Sequence, residues 1–202
     1  IIGLVIASLV AIVIFGGVKR IGVVAARLVP AMVVLYVGSV MIILLLNLGE
    51  IIPSFLLIVE DAFSAKAVLG GAVGAIIIEG GKRAAFSNEA GIGMAPMMHG
   101  AAKTKEPIRE GLVAMMEPVF DTLIVCTMTG LCIIITGVWK TGAADGIELT
   151  AMAFNDQLPG IGKIILVTCV SIFAITTIFG MSYYGQKCLS FLIGAKYGKY
   201  FN

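Results

Sequence analysis

One short stretch of the chain combines residue types that bind small polar solutes. It holds an aromatic ring, a hydroxyl, an amide, a carboxylate and two glycines, at Phe86, Ser87, Asn88, Glu89, Gly91 and Gly93. These groups interrupt an otherwise mostly apolar segment, residues 67–102. Glycine disfavours a continuous helix by roughly 1 kcal/mol per site, and unwound backbone within a membrane offers its N–H and C=O groups to a solute or ion. The stretch is therefore a candidate binding site.

The composition of the chain indicates a lipid environment. Of its 202 residues, 59% are hydrophobic and 13% are charged, whereas soluble domains are about half apolar and about a quarter charged. A net charge of +2 provides no basic surface for nucleic acid. The single histidine, His99, allows no Ser/His/Asp or Cys/His catalytic arrangement and is interpreted as an interfacial polar residue. We expect an integral membrane protein that is not an enzyme and binds no nucleic acid.

Apolar runs predict an all-helical membrane protein with about five spans, because a spanning helix needs about 20 apolar residues. The predicted spans are residues 1–15, 25–46, 67–102, 108–138 and 162–186. The first run is too short for a complete span and the chain starts without Met, so we expect an internal piece of a longer protein. A surface helix within 47–66 and a short helix at 147–154 are also predicted.

The distribution of lysine and arginine predicts the orientation of these spans. Alternating spans place nine basic residues on one side and three on the other, which makes the first side cytoplasmic. This alternation requires residues 67–102 to cross the membrane once. We interpret the segment as one interrupted span, and the alternative is a loop between two short surface helices.

Several ionisable residues fall inside predicted spans, where each costs at least about 2.5 kcal/mol on insertion scales. Glu117 and Asp121 are four residues apart, which predicts that they share one helix face. We expect them to pair with Lys82 or Arg83 inside the helix bundle. A proton or cation relay is the functional alternative, and Glu89 is its strongest candidate.

Residues 81–96, GKRAAFSNEAGIGMAP, closely resemble the "KRG-x-FSNEAG-x-G-x-AP" stretch of the alanine or glycine:cation symporter family. Residues 14–21 resemble its "FGG-x-KRI" loop. Residues 111–115 and 121–127 resemble its "QGLV…DTL-x-x-CT" helix, and residues 182–185 match its "SYYG" motif. The resemblance covers nearly the whole chain in the right order.

The resemblance implies sodium-coupled, sometimes proton-coupled, symport of alanine or glycine across the cell membrane, with the inner membrane of a prokaryote as the expected location. The implied fold is the inverted-repeat architecture of the leucine-transporter type, of which this chain would be a part. Residues 67–102 would be its broken sixth helix. The implied partners are a small neutral amino acid, sodium as the coupling ion and the lipid bilayer, with no other cofactor.

By this resemblance, the stretch from Phe86 to Gly93 binds the substrate. Phe86 would form an apolar lid, with ordinary helix packing as the alternative. Asn88 and the carbonyls before the break would accept hydrogen bonds from the ammonium. A helix that resumes near Gly91–Ile92 would present N–H groups to the carboxylate.

A second group of candidates lies on the last predicted span. Thr176 and Thr177 would supply hydroxyl oxygens to sodium, by analogy with helix eight of the leucine-transporter fold. The alternative is that their hydroxyls bond back to their own helix. Met181 stands where the family commonly has Trp, and Met94 where it has a small residue. Both could reshape the pocket, and Met181 is included among the substrate-binding residues.

Three alternatives to alanine or glycine symport with sodium stay open at the level of sequence. The protein could carry a different small solute, or couple transport to protons. It could also be a non-transporting membrane subunit or scaffold. Only a transporter would lose solute flux on substitution of Asn88 or Glu89 while still inserting into the membrane.

Overall fold

The structure is a computed structural model that describes residues 2–63, 72–89, 91–142 and 146–194, and these residues form helices without any strand. Within these ranges there are nine α-helices, one π-helix and one 3-10 helix. In chain order the α-helices are α1 Ile2–Ile14, α2 Gly17–Leu46, α3 Leu48–Ala62, α4 Ala72–Ser87, α5 Ala95–His99, α6 Pro107–Pro118, α7 Thr127–Thr136, α8 Ile147–Gln157 and α9 Gly162–Ile193. The π-helix is Val119–Cys126, and the 3-10 helix is Val138–Thr141.

Among the described residues, three continuous helical stretches are long and apolar enough to cross a membrane. They are Lys19–Leu46, Pro107–Thr136 and Gly162–Ile193, which have 28, 30 and 32 residues. Each contains an 18-residue window with a mean hydropathy above 2. Large apolar side chains are exposed along them, which suits contact with lipid or with other membrane helices. The all-helical membrane class is thereby supported.

The three long helical stretches overlap the spans predicted at 25–46, 108–138 and 162–186. The spans predicted at 1–15 and 67–102 stay predictions, and so does the total of five. The helix over the second predicted span starts earlier than residue 25, at Gly17, which has a φ of 72°.

The chain divides into two compact units, the first of which is Ile1–Gly38 with Ile164–Asn202. Its core joins α1, α2 and α9 through the buried side chains of Val10, Ile21 and Phe179. Arg20 donates from Nη1 to the carbonyl oxygen of Ile12 at 2.9 Å. That bond satisfies one of the carbonyls that the end of α1 leaves without a helical partner.

The second unit, Ser39–Lys163, contains the interrupted segment and the helices around it. Its core is built where α7 packs against α3 and α8, with Phe154 and Cys132 fully buried. The Asn47 amide nitrogen donates to Oε1 of Gln157 at 2.6 Å, which ties the junction of α2 and α3 to the end of α8. Helices are confirmed at both α3 and α8, within 47–66 and at 147–154. The placement of α3 at the membrane surface stays a prediction.

Gly162 permits a close approach of backbones at the junction of α8 and α9. A Cβ on this residue would collide with the carbonyl oxygen of Phe154 and would lie 3.2 Å from the Asn155 nitrogen. Both neighbours are backbone atoms, so the backbone at this junction would have to shift. We expect Gly162→Ala to lower stability by about 1–3 kcal/mol, measured as a lower unfolding temperature of the detergent-purified protein.

The matched control for this substitution is Gly130→Ala within α7, where a Cβ meets no atom within 4 Å. There alanine should leave stability unchanged or raise it by up to about 1 kcal/mol, because it reduces the freedom of the unfolded chain. Equal unfolding temperatures for the two variants would contradict the close approach at Gly162.

Candidate functional site: a broken helix held by a π-helix

The interrupted segment breaks between Ser87, where α4 ends, and Ala95, where α5 begins. Among the described residues of the break, three have positive φ, namely Glu89 at 53°, Gly91 at 75° and Gly93 at 86°. Left-handed backbone cannot continue a right-handed helix, and a residue with a Cβ adopts it at a cost of roughly 1–2 kcal/mol. Gly91 and Gly93 therefore permit the break, and Glu89 is held in a strained conformation. A break in the helix at these residues is confirmed, and the crossing of the membrane by residues 67–102 stays a prediction.

The position of the break differs from the expectation in two respects. Gly80 and Gly81 lie inside the continuous helix α4, so glycine alone does not break it. The helix after the break starts at Ala95, not near Gly91–Ile92, and it has only five residues. Pro96 lies in its first turn and has no N–H to donate. The helix start expected near Gly91–Ile92 is therefore wrong.

The last residue of α4 and the residue after it bond to two consecutive residues of the π-helix. The hydroxyl of Ser87 donates to Oδ2 of Asp121 at 2.6 Å. The amide nitrogen of Asn88 donates to Oγ1 of Thr122 at 2.9 Å, and the same hydroxyl donates to Oδ1 of Asn88 at 2.8 Å. These bonds hold the first residues of the break against the neighbouring helix.

The π-helix that supplies these partners follows a proline. Pro118 ends α6, and Val119–Cys126 then form the wider helix before α7 begins at Thr127. Proline removes one backbone donor, and π-helical turns inside α-helices occur frequently at functional sites. The acidic pair is affected directly, because Glu117 lies before this change of helix and Asp121 lies within it.

The expected ion pairs between these acids and the basic residues of α4 are wrong. Arg83 pairs with Glu79 on its own helix, with 3.0 Å between Nε and Oε1. Asp121 accepts from Ser87, and within the described ranges neither Lys82 nor Arg83 forms an ion pair with an acid of α6 or the π-helix. The predicted pairing assumed a regular α-helix through residues 117–121, and the sequence spacing does not indicate the π-helix found there. The relay alternative stays a prediction.

His99 joins the short helix α5 to α6. Its Nδ1 donates to Oε1 of Glu110 at 2.8 Å, and its Nε2 lies 3.8 Å from Oε2 of Glu117. The imidazole is half-buried. The sequence predicted only an interfacial polar residue here and did not predict the contact with Glu110. Nothing in the spacing of residues 99 and 110 indicates that the chain turns back between them.

Four further predicted site residues lie on α4 and α9. Phe86 is 69% exposed. Thr176, Thr177 and Met181 lie on α9 within the first unit. The hydroxyl of Thr176 is 3.0 Å from the carbonyl oxygens of Ile172 and Phe173 on its own helix, as the alternative expected. Thr177 and Met181 are exposed.

Thr122 is the residue that sequence reasoning missed. It belongs to the "DTL" similarity, which assigns it no role, yet it contacts both polar atoms of the Asn88 amide. A threonine beside an acid inside an apolar run was the available signal.

The described ranges contain no cluster of three His, Cys, Asp or Glu side chains that could hold a metal ion.

A sequence profile of the sodium:alanine symporter family matches residues 1–201. The chain belongs to the sodium:alanine symporter family. Members of this family are symporters and not enzymes, so the predicted family and the predicted absence of enzymatic activity are both confirmed. The break at Ser87–Ala95 therefore lies in a member of this family, whose long apolar helices are those of a membrane protein.

Curated relatives match almost the whole chain. It is 44% identical over 197 residues to the sodium/alanine symporter AgcS of Methanococcus maripaludis and 41% identical over 198 residues to an uncharacterised transporter of Haemophilus influenzae. It is 33% identical over 195 residues to the probable sodium/glutamine symporter GlnT of Bacillus subtilis. Each match covers 96% of this chain, but 43%, 43% and 41% of the respective relatives. The chain thus spans less than half the length of these relatives.

Proposed function

We propose that the complete protein carries a small neutral amino acid, alanine or glycine, across the cell membrane of a prokaryote together with sodium. The observation that carries the proposal is the break after Ser87, where the Asn88 amide is held at Thr122 in a chain that matches the family profile. The name of the Methanococcus relative, a sodium/alanine symporter, supports the same substrate and ion.

Asn88 and the end of α4 are proposed to bind the ammonium group of the substrate. The last carbonyls of a helix lack helical partners and carry partial negative charge. The Asn88 oxygen accepts one bond from Thr122 and keeps a second lone pair. Together these acceptors suit a cation with three N–H donors.

The substrate carboxylate is proposed to lie against the backbone N–H groups of the turn around Gly91 and Gly93. Positive φ at both residues turns the chain before α5 begins. Glycine leaves this backbone accessible, since a Cβ at either site would meet no atom within 4 Å. This placement replaces the helix N-terminus that the sequence suggested. Ser87 and Glu89 flank the site, and Phe86 is kept as the proposed lid.

Sodium is proposed to bind at the hydroxyl oxygens of Thr176 and Thr177 on α9. Hydroxyl oxygens are hard donors of the kind that such cations accept. The Thr176 hydroxyl directs its proton toward its own helix, which leaves lone pairs on the oxygen for a cation. No ion other than sodium and no other cofactor is required by this scheme.

The proposed mechanism is alternating access about this site in a fold of the leucine-transporter type, with α4 and α5 as the two halves of a broken membrane helix. Inward movement of one positive charge is worth about 2.3 kcal/mol per 100 mV. That energy, together with the sodium gradient, would drive accumulation. Sodium that stabilises the broken geometry would raise substrate affinity through a coupling free energy between the two sites.

A different solute or ion is the second candidate, and names of relatives support it. One relative is named a probable sodium/glutamine symporter, and another is named a putative sodium/proton-dependent alanine carrier. Met181, exposed on α9, stands where the family commonly has Trp, so the substrate could differ from alanine or glycine. Substrate and ion therefore have to be compared directly.

The deciding experiment measures uptake by the complete protein in proteoliposomes. Labelled alanine, glycine and glutamine are each supplied under an inward sodium gradient, an inward proton gradient or neither. We expect uptake of alanine or glycine only under the sodium gradient. Uptake of glutamine alone, or uptake driven by protons alone, would replace the proposed substrate or ion. Folded, inserted protein that moves none of them would refute symport of these solutes.

A further inference from the structure

Thr122 is the partner of the Asn88 amide, and it lies on a different helix from the break. We propose that Thr122 is a positioning residue for substrate binding, which aligns the Asn88 amide with the solute without contacting the solute itself. This inference rests on the proposed function, in which Asn88 binds the ammonium group.

The geometry explains how one hydroxyl can align an entire amide. Oγ1 of Thr122 lies 2.9 Å from Nδ2 and 2.8 Å from Oδ1 of Asn88. Because both polar atoms are held at one point, the plane of the amide is fixed. A side-chain amide without such a partner rotates broadly about its last torsion. The fixed amide still keeps one N–H and one lone pair for a ligand.

The neighbouring residues add a second anchor. Ser87 donates to Asp121 at 2.6 Å, so the end of α4 is attached to the π-helix at two successive residues. The Ser87–Asp121 bond maintains the position of the backbone when Thr122 is changed. Substitution of Thr122 should therefore loosen the amide more than it displaces the helix.

The test compares three variants of Thr122 in the complete protein, reconstituted in proteoliposomes. Thr122→Val keeps the shape of the side chain but loses the hydroxyl, and Thr122→Ala removes the hydroxyl without adding bulk. Thr122→Ser keeps it. We expect KM for alanine under a sodium gradient to rise roughly tenfold in the first two variants, from the loss of aligned hydrogen bonding. Thr122→Ser should stay within about twofold of the wild type.

Thr127→Val is the matched control for these variants. Thr127 begins α7 five positions after Thr122 and is exposed. The same change there should leave KM unaltered. A merely structural role for Thr122 would lower the unfolding temperature and the amount of active protein, and hence the maximal rate, while KM stayed constant. A rise in KM with an unchanged unfolding temperature is the signature of positioning.

The outcomes separate this inference from the proposed function. A wild type that takes up neither alanine nor glycine refutes the proposed function and this inference with it. Wild-type uptake with unchanged KM in Thr122→Val and Thr122→Ala refutes the positioning role alone. If both variants fail to fold while Thr122→Ser folds, the hydroxyl maintains the fold and the positioning role is also refuted.

Discussion

Asn88→Ala is expected to reduce sodium-driven uptake of alanine by the complete protein by roughly 10- to 100-fold at low substrate concentration. The variant loses the amide that we assign to the ammonium group, and a hydrogen bond to a charged group is worth about 1.5–3 kcal/mol. It also leaves the Thr122 hydroxyl without its partner. The measurement is the initial rate of labelled alanine uptake into proteoliposomes under a sodium gradient.

The control for Asn88 is the same change at Asn155, an exposed residue of α8. Asn155→Ala should transport at the wild-type rate. Orientation and amount of protein in the vesicles are compared by protease accessibility, so that lost insertion is not mistaken for lost transport. Wild-type uptake by inserted Asn88→Ala would remove Asn88 from the binding site.

The double variant Gly91→Ala/Gly93→Ala is expected to reduce uptake at least tenfold and to lower stability. Both residues have positive φ, at 75° and 86°, where a residue with a Cβ costs roughly 1–2 kcal/mol. The two substitutions together therefore favour a rearranged conformation of the break. A cost of 1.4 kcal/mol already lowers the population of the native conformation about tenfold. Uptake rate and unfolding temperature are both measured.

The matched double variant is Gly80→Ala/Gly81→Ala within α4. A Cβ meets no atom within 4 Å at any of the four glycines, so the two double variants differ in backbone conformation and not in crowding. Alanine in a regular helix is favourable by about 0.5–1 kcal/mol per site relative to glycine. Full activity of Gly91→Ala/Gly93→Ala would show that the left-handed turns are not needed for transport.

The helical character of the chain could be predicted because long apolar runs leave little choice of structure in a membrane. Backbone groups away from water must bond within their own segment, which favours helices. The interruption could also be predicted, since polar residues and glycines are costly there. The boundaries of the interruption could not be predicted, because glycine occurs both inside the regular helix and in the break. Gly80 and Gly81 lie in α4, whereas Gly91 and Gly93 have positive φ.

The partners of the polar side chains were the weakest part of the prediction. Opposite charges suggested that Asp121 meets Lys82 or Arg83, yet Asp121 accepts from Ser87, and Arg83 bonds to Glu79. A prediction of ion pairs from opposite charges alone does not consider which way each side chain faces, and this depends on the rotation of the helix about its axis. That rotation depends on the π-helix after Pro118, which the spacing of apolar residues does not reveal.

The sequence by itself determined the helical membrane class and the region of the chain where a helix is interrupted, because these depend on composition and local backbone preference. It also determined the family, through motifs that resemble those of known members. Only the tertiary structure decided that Asn88 is held by Thr122 and that His99 bonds to Glu110. Such contacts join residues 34 and 11 positions apart. They depend on how neighbouring helices rotate and pack, which local sequence constrains only weakly.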